Sequence, residues 1–344
     1  MAIQRGKSSA RRLSGHCFEA HAGDSTPRTT LILFERQTLL KITLFTAIAL
    51  FPSHPTCAQD LAPRAYLITP LGANAITLAS SFFHGGLDFN GVIPVENATG
   101  TFGVGTVSYY RSFDLFGRSA NVAALLPYGL GKFKGDVSGQ AQETYRSGLL
   151  DAGFRLSVNL KGGPAMSVRQ FATWKQGVLL GASLKVITPT GQYDPNRLIN
   201  WGANRWAFKP EFGYSQRFGN WILDGHAGVW LFTTNDEFFS SPAPKPQKQS
   251  PIGALEGHLS YNVRPFLWVS LDGNFWYGGA TSTGGVSNPA TRQTGSRLGV
   301  TASLPITRNQ TLKLGYSDGA YSRFGASYKN LSIGWQYSWL EIPK

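Results

Sequence analysis

The segment "GHLSY" sets His258 two residues before Ser260, with His226 in "DGHAG" upstream and Asp272 in "SLDGN" downstream. A serine, a histidine and a carboxylate are the parts of a hydrolytic triad, in which the imidazole takes the hydroxyl proton. Residues two apart along a strand, however, lie about 7 Å apart, too far for a direct base-to-nucleophile bond. A lipid-acting hydrolase would also aim these groups at the bilayer, whereas the periodicity described below turns them inward. The expectation is no enzyme and no catalytic residues. "GVGTVS" from Gly103 lacks the third glycine of a phosphate loop and reads as strand. "DPNRLIN" from Asp194 alternates oxygen ligands but has neither the glycine nor the distal glutamate of a calcium loop, so an Asx turn explains it. No metal and no cofactor are expected.

The elements that hold these residues repeat with a period of two. "LSIGWQYSW" places Leu331, Ile333, Trp335, Tyr337 and Trp339 on one face and Ser332, Gly334, Gln336 and Ser338 on the other. "ALEGHLSYNV" opposes Leu255, Leu259, Tyr261 and Val263 to Glu256, His258, Ser260 and Asn262. "LDGHAGVWL" and "WAFKPEFGYS" repeat the pattern, with Asp224 and His226, then Lys209 and Glu211, on the polar side. Alternation of this kind marks half-buried strands. A soluble sandwich would alternate too, but here the apolar faces are aromatic toward strand ends, as membrane girdles require. Twelve strands are expected, centred near residues 79, 105, 125, 154, 182, 210, 227, 259, 271, 300, 314 and 335. Tight links follow strands 2, 6, 8 and 10. Long polar links are expected after strands 1, 3, 5, 7 and 9, including "GKFKGDVSGQAQETYRSG" and "TTNDEFFSSPAPKPQKQSP". The fold class is therefore all-β, an antiparallel up-and-down transmembrane barrel with its termini on the short-turn side.

Composition agrees. Of 344 residues, 15% are charged, below the roughly 25% usual in soluble domains, and 13% are aromatic. "KITLFTAIALFPSHPTCAQD" reads as a secretory signal peptide, its apolar run Ile42 to Phe51 being too short to span. Residues 1–58 are expected to be removed, and the long stretch 1–40 is expected of a start codon placed too far upstream. Both cysteines, Cys17 and Cys57, fall before that cut, so residues 59–344 need no disulfide. That remainder keeps 25 Lys/Arg and 16 Asp/Glu, dispersed along the chain, and no nucleic-acid partner is expected. The short segment "QDLAPRAYLITPLGAN" before the first strand is available as a plug.

Inward-facing ionisable residues form the expected pore lining: Asp151, Arg155, Lys185, Lys209, Glu211, Asp224, His226, Glu256, His258, Asp272, Arg297 and Lys313. Their mixed signs could pair across the lumen and screen solutes by charge. Arg155 and Lys209 are expected to face water, so that neutralising either alters ion selectivity with little loss of stability.

The stretch Val186 to Phe218 carries "PTG.YD" at Pro189, Thr190, Gly191, Tyr193 and Asp194. It continues with "N.G.N.W" at Asn200, Gly202, Asn204 and Trp206, and "F.P..GYS" at Phe208, Pro210, Gly213, Tyr214 and Ser215. This resembles a family of bacterial outer-membrane proteins named for the meta-cleavage pathway of phenol degradation, and the likeness extends over most of 65–339. The resemblance implies a Gram-negative outer-membrane channel for passive uptake of small hydrophobic or aromatic solutes. Its partners would be membrane lipid, the solute and the barrel-assembly machinery, although here "LEIPK" follows the aromatic Trp339. A structural or surface-interaction barrel with a closed lumen, meeting partners through "SSPAPKPQKQSP", is the alternative. Trp201 and Trp206 are expected either to anchor at the membrane–water boundary or to cover the pore mouth.

Overall fold

A computed structural model describes residues 61–88, 95–137, 139–240 and 242–341. The expected extension and signal peptide, residues 1–58, lie outside the described residues. Among these residues are seventeen strands, one short α-helix and one 3-10 turn (Pro289–Thr291), in order: β1 (Ala73–Asp88), β2 (Val95–Leu115), β3 (Arg118–Val137), β4 (Gln140–Leu149), β5 (Gly153–Lys161), helix α1 (Val168–Thr173), β6 (Val178–Ile187), β7 (Ala207–Phe218) and β8 (Trp221–Phe232). After these come β9 (Asn235–Phe238), β10 (Lys245–Gln249), β11 (Ile252–Arg264), β12 (Leu267–Gly278), β13 (Thr281–Thr283), β14 (Val286–Asn288), β15 (Gln293–Pro305), β16 (Gln310–Ser322) and β17 (Gly325–Leu340).

The wall is a closed antiparallel ring. β1 pairs with β2 on one side and along its whole length with β17 on the other, from Ala73↔Leu340 to Asp88↔Gly325. β4 and β5 both pair with β3, at Tyr128–Val137 and Ala120–Leu125, so they are two halves of one wall strand broken at 150–152. That leaves twelve wall strands, as the alternation predicts. Closure matters because an open edge in hydrocarbon would leave a row of backbone groups without hydrogen bonds.

Each wall strand sorts its residues by solvent. In β11, Leu255, Leu259 and Val263 point outward, while Glu256, His258 and Ser260 are buried inside. Outward Leu271, Leu298 and Phe212 are 63%, 64% and 68% exposed, positions that suit lipid and would be costly in water. Aromatic rings band the end where β1 begins and β17 finishes, where Trp221 meets Tyr261 (centroids 4.7 Å) and Tyr337 meets Trp339 (5.9 Å). At the same end the β2–β3 turn needs positive φ at both central residues, 52° at Phe116 and 76° at Gly117, the geometry that matches hairpin twist.

Two expected long links are shorter than the sequence suggests. "GKFKGDVSGQAQETYRSG" is not a loop but the β3–β4 hairpin, and β1 runs to Asp88 while β2 already begins at Val95. β1, β2 and β3 run for 16, 21 and 20 residues, well past the roughly 9–11 a tilted strand needs to cross the bilayer. Polar, glycine-rich sequence beyond the membrane still pairs as strand. The links after β8 and β12 are long, and they pair with each other as a four-stranded sheet, β14-β13-β10-β9. The link after β5 carries α1, whose Ser167 and Gln170 form a capping box.

Candidate functional site

Residues 61–71 enter the barrel instead of leaving it. Tyr66 is wholly buried, and its hydroxyl lies 3.0 Å from Glu211 Oε1 and 3.0 Å from Ser183 Oγ. The Arg155 guanidinium sits 4.8 Å over its ring, and His226 meets it edge-on at 5.0 Å. Room for that ring is made by two glycines on neighbouring strands. A Cβ at Gly181 or Gly213 would stand 2.3 or 2.0 Å from ring carbons. Arg64 anchors the segment one turn earlier. Its backbone N–H donates to Asp224 Oδ2 (3.3 Å), its Nη2 to Asn262 Oδ1 (3.0 Å), and its guanidinium lies 4.2 Å over Trp268. Thr69, hydrogen-bonded to the Tyr110 hydroxyl (2.9 Å), and Ile68, packed with Met166 and Phe171 of the α1 link, complete the attachment. The available segment is thus a plug.

Around the plug stands a buried ionic belt. Lys209 Nζ contacts Glu211 Oε2 at 2.6 Å and Glu256 Oε1 at 2.7 Å, and Arg155 Nη2 lies 3.6 Å from Glu211 Oε1. The register Glu256↔His226 and His258↔Asp272 brings two histidines against the same level of wall. His258 Nδ1 is 2.9 Å from Asp272 Oδ1, and Asp272 also accepts from Ser270 and Thr301 at 2.6 Å each. Ser260 Oγ has no hydrogen-bond partner among the described residues, and the serine that reaches the carboxylate is Ser270. The triad weighed from "GHLSY" is therefore not assembled in the described residues.

Of the sequence-predicted lining residues, Arg155, Lys209, Glu211, Asp224, His226, Glu256, His258, Asp272 and Arg297 are all buried inside the barrel. Lys185 and Lys313 are half-buried, over the rings of Trp230 (5.5 Å) and Trp268 (5.8 Å). Asp151 differs: it lies in the break between β4 and β5 and accepts from the Gly191 and Ala203 N–H groups, 2.8 Å each. It pins the loop 188–206, and burial raises its pKa despite those donors. The expectation that Arg155 and Lys209 face water needs correcting. Each is about 95% buried and spends its charge on neighbouring carboxylates, so neither is a free charge in an aqueous lumen.

The motif loop folds tightly over the outer mouth. Gly191 and Gly202 back onto each other so closely that a Cβ on either would lie 2.7 Å from the other's backbone. Asn200 bridges Asp194 N (2.9 Å) and Asp194 O (3.0 Å), and Asn196 N donates to Asp194 Oδ1 (3.0 Å), the expected Asx turn. Asn204 donates to Asn235 Oδ1 (3.1 Å), Tyr193 to Glu237 O (2.9 Å), and Arg205 to Gln249, tying the loop to β9 and β10. The two tryptophans part company. Trp201 turns inward against Phe102 and Phe133, whereas Trp206 stays at the exterior, stacked with Phe208.

Below this lid is a cavity of about 360 Å³, bordered by Trp201, Trp230, Phe232, Phe238, Lys185 and Arg205. A second cavity of about 570 Å³ opens at the other end, among Arg64, Trp174, Arg217, Asn262 and Trp268. Along β11, Ile252 borders the first and Asn262 the second, with Glu256 and His258 between. Plug and belt therefore separate two vestibules. Tyr66 and Trp230 were not singled out from sequence; the facing glycines 181 and 213 are the signal that a large ring must fit there.

The family model described as "Putative MetA-pathway of phenol degradation" matches residues 88–333. The chain belongs to that family. No curated protein matches it. Among solved structures, an outer membrane channel from Pseudomonas putida F1 is 18% identical with a TM-score of 0.66, over 80% of this chain and 99% of that one. The transport unit of the autotransporter AIDA-I from Escherichia coli is 10% identical, TM-score 0.45, over 88% and 97%. The first likeness gives the fold. With the lipid-facing exterior it makes this family member a bacterial outer-membrane barrel.

Proposed function

We propose that the barrel is a channel for passive uptake of small hydrophobic or aromatic solutes, in keeping with its family's description. The observation that carries the reading is the outer vestibule, where Trp201, Trp230, Phe232 and Phe238 form aromatic walls and Lys185, Arg205 and neighbouring amides supply polar groups between them. Apolar pockets with a few convergent polar groups are what small ring compounds fill. The channel is closed at rest by Tyr66, and passage requires the plug segment to move aside. Surrounding lipid and the solute are its working partners, and no step of this process forms or breaks a covalent bond.

Flux into liposomes tests the reading. The barrel is expected to pass labelled phenol faster than benzoate, because the ionic belt and its desolvated surroundings penalise a carboxylate. A sugar of similar size is expected to be retained outside. Equal exclusion of all three solutes would favour the structural reading, for which the closed lumen and the separate sheet β14-β13-β10-β9 already speak.

A further inference from the structure

We propose that His226, Glu256 and His258 form a transition-metal site inside the barrel, suited to a divalent cation such as zinc. One ligand atom from each of the three lies within 4.8 Å of the others, and all three side chains are at least 95% buried. His226 Nδ1 and His258 Nε2 stand 3.8 and 3.7 Å from the same carboxylate oxygen, Glu256 Oε2. Around a tetrahedral zinc with bonds near 2.0–2.1 Å, ligand atoms sit about 3.4 Å apart, so the two histidine–glutamate separations must close by about 0.3–0.4 Å and the widest separation in the set by up to about 1.4 Å, shared between two side chains.

The unsatisfied atoms single out this place. Both ring nitrogens of His226, His258 Nε2 and Glu256 Oε2 are buried with no hydrogen-bond partner among the described residues. A buried polar atom without a partner costs stability, and three of these, His226 Nδ1, His258 Nε2 and Glu256 Oε2, lie close enough together to share a cation. The rest of the arrangement is that of an oriented ligand. Asp272 engages Nδ1 of His258 and is itself held by Ser270 and Thr301, so that with the ring proton on Nδ1 the Nε2 lone pair is offered on the side of Glu256. Lys209 is the nearest cation, and it would oppose a metal if its charge were uncompensated. Its ammonium binds Glu211 Oε2 and the other oxygen of Glu256, Oε1, so Oε2 stays available.

Two imidazoles and one carboxylate leave a fourth position open, the pattern of sites that keep an exchangeable ligand. A cation here would tie β8 to β11 beside the Tyr66 ring, at the level where plug meets wall. The site is independent of whether the lumen conducts.

Untagged barrel isolated from membranes, stripped with a chelator and dialysed against micromolar zinc chloride, provides the test. One zinc per chain is expected, and substituting Co2+ should give the visible absorption of a tetrahedral ion. His226→Asn, whose ring makes no hydrogen bond to the wall, should weaken zinc binding at least about tenfold while the barrel keeps its folded mobility on gels; Asp272→Asn should weaken it about tenfold through the orienting bond. His84→Ala is the control, since His84 lies exposed on β1 and pairs with Thr101 (2.7 Å). No zinc uptake by the wild-type chain, or undiminished uptake by His226→Asn, overturns the site.

Discussion

Lys209 shows how far a buried charge departs from a surface one. It bridges two carboxylates in the barrel interior, so Lys209→Met removes the cation that Glu211 and Glu256 share and leaves only Arg155, 3.6 Å from Glu211, beside them. Breaking a buried pair by removing one partner costs about 3–5 kcal/mol. Denaturant titration of the detergent-solubilised barrel should show that loss, while Lys161→Met, an exposed change at the end of β5, should be nearly neutral. Gly213→Ala is the complementary test from the other side of the plug. Its new methyl would stand 2.0 Å from the Tyr66 ring, so the ring must leave its socket. Raised open-channel current with the wall still folded is the expected result.

Among the elements, the wall strands were legible and the packing inside them was not. Lipid outside and polar contacts inside impose a period of two on each strand, and the twelve expected centres all fall within wall strands. The β3–β4 hairpin was misread because glycine and polar residues signal loops, yet strands that outrun the bilayer need no apolar face. The plug's length could be seen, but not its grip. Tyr66 reaches Ser183 and Glu211 across 117 and 145 residues, separations that no local pattern encodes. The histidine–glutamate cluster was hidden for the same reason, since His226 and Glu256 meet only through the pairing of β8 with β11. The loop 188–206 hangs on one carboxylate. Asp151→Asn keeps the shape but offers the Gly191 and Ala203 N–H groups one carbonyl oxygen in place of two. Faster proteolytic nicking of that loop is expected, with the barrel core intact.

At the largest scale described, residues 61–341 form a lipid-facing barrel whose interior is divided into two vestibules by residues 61–71. Such a division makes the plug the controlling element of any passage, because the wall is fixed by a closed ladder of hydrogen bonds whereas the plug is held by a few side chains. Single-channel recording in planar bilayers compares the chain with a variant lacking residues 61–70. The plug account predicts small, infrequent currents from the intact chain, a persistently open pore in the variant, and block of that pore by phenol entering the aromatic vestibule. Equal and low conductance from both would contradict it, since the lumen would then be shut by something other than the segment that carries Tyr66.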